Sequence, residues 1–77
     1  MRGRAFVRLL MEMQKLQRSR NGVTLRELAE ETGVTTRTIR RDLETLQDAG
    51  VALFDDLVDD GGRMPSRRWR VLDAAVS

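Results

Sequence analysis

Two helix starts separated by a single glycine turn, in residues 24–46 (TLRELAEETGVTTRTIRRDLETL), constrain this 77-residue chain more than any other feature. Thr24 followed three residues later by Glu27 is a capping box, in which each side chain satisfies an exposed backbone N–H at a helix start. Leu25, Leu28 and Ala29 then recur at helical spacing, with Arg26, Glu27, Glu30 and Glu31 left for the wet side. Gly33 suits the left-handed conformation that ends a helix. Val34 is placed to plug the gap between two helices, and Ala29 is small enough for them to cross closely. Thr35 is a natural N-cap for a second helix over residues 35–49, whose Ile39, Leu43 and Leu46 form a buried stripe at i, i+4 and i+7. The spacing predicts two helices crossing at a tight turn.

The outward face of the second helix carries the functional expectation. At about 100° per residue, with Ile39 inward, Arg37, Arg41, Glu44 and Asp48 point away from the core. Thr36 and Arg40 lie on one flank, and Thr38 and Thr45 on the other. A helix that opens with hydroxyls and arginines suits the major groove of DNA, where residues near its N-terminus reach base edges. Arginine matches the O6/N7 edge of guanine, and threonine can contact a thymine methyl group or a phosphate. Thr36, Arg37 and Arg41 are therefore expected to read bases. Thr24, Thr35, Thr38 and Arg40 are expected on the backbone, where contacts set register. The competing reading is a solvated face, with Arg40 paired to Glu44 at i+4 and the other arginines near acidic partners. The capping box, glycine turn, Val34 plug and Arg/Thr opening occur together and in order, and that combination favours the groove.

The flanking segments extend the pattern. Phe6, Leu9 or Leu10, Met13 and Leu16 recur at spacings of three and four, which predicts a helix from Arg4 to about Ser19 with Arg8, Glu12, Lys15 and Arg18 off its apolar stripe. Val7, Leu10 and Met11 broaden that stripe, so its edge is a candidate partner contact. Ser19, Arg20, Asn21 and Gly22 form a turn. After Gly50 the run Val51, Ala52, Leu53 and Phe54 is of strand type, residues 59–66 read as a polar loop, and residues 67–72 alternate. Val23 and Thr24 could add a third strand. Two strands joined by a basic-tipped loop make a wing whose Arg63, Arg67 and Arg68 are candidate backbone contacts; the same arginines could instead keep an edge strand soluble. Trp69 is expected in the core, with base stacking as the alternative role. Asp55, Asp56, Asp59 and Asp60 lack the alternating ligands and terminal Glu of a calcium loop, so they read as a solvated turn and no metal is expected.

Length and composition narrow the function. A chain of this size buries only about 60% of its unfolded surface, leaving no room for a catalytic pocket beside a core. There is no His, Cys or Tyr, so an enzyme and a thiolate metal site are both disfavoured, and no cofactor is expected. No segment reads as a signal peptide or a membrane span, which makes the cytoplasm, at the nucleoid, the expected location. Net charge is only +2, but residues 1–41 hold ten Arg/Lys against four Glu, while residues 42–77 hold four Arg against eight Asp/Glu. The basic half surrounds the two-helix motif, where a phosphate backbone would lie. Lys15 is the single basic residue that is not arginine, which fits a GC-rich genome as well as it fits guanidinium recognition.

The sequence GVTLRELAEETGVTTRTIRRDLETLQDAGVALFDD, followed by RRWRV, resembles the N-terminal winged helix-turn-helix of bacterial DeoR-type regulators, particularly those that carry a WYL domain. The resemblance covers roughly residues 8–72, and its most specific part is TTRTIRRDLETL with Gly50 and the strand pair. It implies a mainly helical domain over residues 1–72, three helices plus a two- or three-stranded antiparallel wing, with residues 73–77 as the start of a linker. It further implies operator binding through Thr35, Thr36, Arg37, Thr38, Arg40 and Arg41, two copies on a palindromic duplex, and a ligand sensor that would follow in a longer chain. A winged helix used for protein contact is the alternative from another class.

Overall fold

Three helical stripes and one strand face enclose the core. The computed structural model describes residues 2–59 and 65–72, and in it α1 (Arg2–Arg18), α2 (Leu25–Thr32) and α3 (Thr36–Asp48) precede β1 (Leu53–Val58) and β2 (Ser66–Val71). Leu16, Val23, Leu28, Ala29, Ile39, Leu43, Leu46 and Leu53 are buried, with Leu9, Met13, Leu25, Val34, Val51, Trp69 and Val71 packed around them. Val34 thus fills the gap expected of it, and Trp69 is a core residue at the sheet.

The helix ends follow their local chemistry. Thr24 Oγ1 accepts from the Glu27 amide at 3.0 Å and the Thr24 amide donates to Glu27 Oε1 at 2.9 Å, completing the capping box. Gly33 adopts φ 78°, and the Gly33 and Val34 amides both donate to the Ala29 carbonyl, so the turn satisfies an orphan carbonyl at the end of α2. At the other end of α3, Gly50 adopts φ 102°, its amide donates to Gln47 O, and Val51 N donates to Leu46 O, a Schellman-type stop.

β1 and β2 pair antiparallel with Leu53 opposite Val71 and Val58 opposite Ser66. The third strand reduces to one bridge, in which Val23 N donates to Trp69 O at 2.9 Å and Trp69 N to Val23 O at 2.8 Å. β1 begins later and runs further than the apolar run 51–54 suggests. Asp55 and Asp56 lie inside the strand rather than in a solvated turn, because arginines across the ladder face them. Asp55 pairs with Arg67, and Asp56 with Arg70 at 3.7 Å. Opposite charges on one face of a sheet offset the poor strand propensity of aspartate. Asp60 lies outside the described residues.

α1 departs most from expectation. Its inward positions are Leu9, Glu12, Met13 and Leu16, an i, i+3, i+4, i+7 set in which Glu12 is 0% exposed. Phe6, expected on the stripe, is 62% exposed, and Val7 and Leu10 are 54% and 46% exposed. The core ends at Leu9, so apolar residues nearer the start of α1 have nothing to pack beneath. α3 repeats the pattern: Ile39, Asp42, Leu43 and Leu46 are buried, with Asp42 6% exposed at the i+3 position.

Candidate nucleic-acid interface

The start of α3 is built by Thr35. Its backbone is extended (φ −81°, ψ 161°), its hydroxyl oxygen accepts from the Thr38 amide at 3.2 Å, and its O–H donates to Thr38 Oγ1 at the same distance. Thr38 is accordingly half-buried under its own cap, whereas Thr35 and Thr36 are exposed. The first turn of α3 contains no acidic residue, unlike α2, where Glu27 already occupies the helix start. The positive end of the α3 dipole therefore meets no carboxylate of its own helix, a favourable setting for an external anion.

Arg37, Arg40 and Arg41 are all exposed, and among the described residues none is within ion-pair distance of a carboxylate. The pairing of Arg40 with Glu44 that a solvated face would use is not formed. Burying Ile39 and Leu43 against α2 directs these three guanidinium groups away from the core. Arg41 also exerts a long-range pull on the neighbouring Asp42, helping to lower its pKa.

The wing arginines have protein partners. Arg67 is held by Asp55. Arg68 is largely buried, with Nη1 donating to the Gly22 carbonyl at 3.3 Å and lying 3.9 Å from Glu27 Oε1. Thr24, Glu27 and Arg68 thus form one group at the start of α2, in which Arg68 balances the capping carboxylate. Arg70 lies over the Phe54 ring at 5.1 Å, a cation–π contact that fixes it along the sheet. Arg63 lies outside the described residues.

What sequence reasoning missed is a polar clasp between α1 and α3. Arg8 Nε and Nη2 donate to Asp42 Oδ2 and Oδ1 at 2.6 and 2.9 Å, a two-point guanidinium–carboxylate pair across 34 residues of sequence. Asp42 is buried, and although burial opposes it, Arg8 and Glu12 together hold its carboxyl below the usual range. Beside it Glu12 is pushed up to about 9, first by burial and then by its contact with Asp42. The available signal was positional: both carboxylates occupy the i+3 slot of an otherwise apolar i, i+3, i+4, i+7 set.

An open groove of about 530 Å³ lies between the start of α1 and the turn from α2 to α3, where Val7, Met11 and Val34 meet Arg4 and Arg8. Among the described residues its lining has no carboxylate, and its one hydroxyl, that of Thr32, donates to the Leu28 carbonyl. No helix among the described residues is long and apolar enough to cross a membrane.

Three helices, a capped glycine turn between the second and third, and a two-stranded antiparallel sheet define a winged helix-turn-helix, a DNA-binding rather than catalytic kind of domain. The chain belongs to the helix-turn-helix (HTH) domain family, whose model matches residues 8–56. No curated protein and no solved structure matches it.

Proposed function

We propose that this domain binds duplex DNA sequence-specifically for a bacterial transcriptional regulator, with α3 in the major groove and the wing along the backbone. The observation that carries the proposal is the set of exposed guanidinium groups at Arg37, Arg40 and Arg41, on a helix whose N-terminus has no acid of its own. Thr36, Arg37 and Arg41 act as base readers. Thr35, Thr38 and Arg40 act on phosphates, and so does Thr24, whose hydroxyl proton remains available because only its oxygen serves the cap. Arg67 and Arg68 reach phosphate by partial exchange from Asp55 and from Gly22 and Glu27, so their contribution is smaller than that of the α3 arginines. Arg63, which falls between β1 and β2 in sequence, is the remaining wing contact in this reading.

The regulator type, DeoR-like with a WYL sensor downstream, rests on the sequence resemblance in residues 8–72. Two copies on a palindrome are part of the same reading, since one small module buries too little surface for high specificity. The exposed Phe6, Val7 and Leu10 on α1 supply an apolar edge suited to that second copy. A bacterial cytoplasm follows from the same assignment.

Binding to mixed-sequence duplex DNA measured across a salt series tests the proposal. Counterion release predicts a linear fall of log affinity with log salt, at a slope of about −0.9 for each phosphate contacted. A flat salt dependence would reject groove binding and favour a protein-docking surface.

A further inference from the structure

The buried group between α1 and α3 has more carboxylates than its one cation can serve. Arg8 spends both its Nε and Nη2 on Asp42, and its Nε lies 3.7 Å from Glu12 Oε2, beyond a good hydrogen bond. Neither oxygen of Glu12 meets an N–H or O–H donor, and the residue is fully shielded from water. Arg8 and Asp42 are the charged groups that act on Glu12, and Arg41 acts on Asp42 from its outer side. From α2, Leu28 and Ala29 enter the core, while its Glu31 is engaged with Lys15 at 3.9 Å on a half-exposed surface. On the sheet, Arg68 and Arg70 are engaged with Glu27 and Asp56. Among the described residues no second cation reaches Glu12.

A buried carboxylate with no donor, beside a second carboxylate, is far more costly than a neutral carboxylic acid in the same place. As an acid, Glu12 has a proton to offer Asp42, whose carboxylate accepts readily. Arg8 and Glu12 stand four residues apart on α1, so together they grip Asp42 from one helical face. This matters because α1 and α3 approach one another less closely than α2 and α3 do, leaving long side chains to span the gap. We infer that Glu12 is a proton-carrying positioning residue: its neutral acid, with Arg8, clasps Asp42 and sets how α3 sits against α1.

Loss of the proton leaves an uncompensated charge in the core and makes Glu12 a competitor for Arg8 on its own helix. The clasp on Asp42, next in sequence to Arg41, then loosens. The consequence for DNA rests on the reading of α3 as the recognition helix; the protonation itself does not.

The chain is well suited to the test, because it has no His, Cys or Tyr and a single Lys. Between neutral pH and pH about 9 only Glu12 and the N-terminal amine should titrate. Three measurements decide. The side-chain carboxyl carbon of Glu12, followed by NMR in the wild-type protein, is expected to titrate above neutrality; titration in the ordinary carboxylate range overturns the inference. The wild-type folding constant is expected to fall by up to about tenfold per pH unit across the window, while that of Glu12→Gln stays nearly level. Parallel curves for the two proteins also overturn it. Affinity for a duplex bound at neutral pH should weaken for wild type and hold for Glu12→Gln; a parallel loss overturns the positioning role. If no duplex is bound at any pH, the DNA reading fails, and the first two measurements still decide the proton.

Discussion

Gly22 shows how a single position links the turn after α1 to the wing. It adopts φ 87°, and a Cβ there would sit 2.8 Å from Arg68 Cβ, 3.0 Å from Arg70 Cγ and 3.2 Å from the Trp69 carbonyl. Those atoms belong to the strand whose Trp69 bridges Val23, so they cannot retreat without breaking the bridge. Gly33 also has positive φ, at 78°, but open space where its Cβ would lie. Gly33→Ala should therefore cost only the left-handed penalty of about 1–2 kcal/mol, and Gly22→Ala clearly more, as measured by urea unfolding. Equal losses would mean that the contact with β2 yields freely. At the interface, Arg37→Ala should cost about 1–3 kcal/mol and relax preference at one base position. Arg40→Ala should instead weaken all duplexes alike, and competition binding against single-base variants separates the two outcomes.

At the scale of elements, α2 and α3 were legible because their signals are local. A capping box, a glycine and a threonine cap each act within a few residues, and the structure realises all three. Thr35→Ala should lower stability by about 1 kcal/mol through loss of the cap, visible as a lower denaturation midpoint with an unchanged slope. α1 and the wing were less legible because their partners are distant in sequence. Hydropathy assigns Glu12 to solvent, and only the approach of Asp42 and Arg8 explains its burial. Asp55 and Asp56 read as turn residues until Arg67 and Arg70 face them across the sheet. The exposure of the α3 arginines follows from their position on the helix, whereas the engagement of Arg67 and Arg68 with protein acceptors depends on tertiary contacts.

For the whole molecule, the two buried carboxylates act on stability in opposite directions. Asp42, lowered in the folded state, adds stability at higher pH that is lost as pH falls through its folded value. Glu12, raised from 4.5 to about 9, adds stability that is complete below 4.5 and lost as pH rises through about 9. Their sum predicts greatest stability in mildly acidic solution and a steady decline into alkali, measurable as denaturation midpoints at constant ionic strength. A maximum on the alkaline side would contradict it. The charge split gives the molecule a direction as well: the basic portion contains α1, α2 and the start of α3, while Glu44, Asp48, Asp55 and Asp56 lie beyond it in sequence. We propose above all that exposed residues at the start of α3 read duplex sequence. Selection of bound sites from random duplex DNA, run in parallel with wild type and Arg37→Ala, tests it most directly. Base reading by these residues predicts an enriched wild-type motif containing guanine, with preference lost at one position in the variant. No enrichment by the wild-type protein, or an unchanged motif in Arg37→Ala, would contradict it.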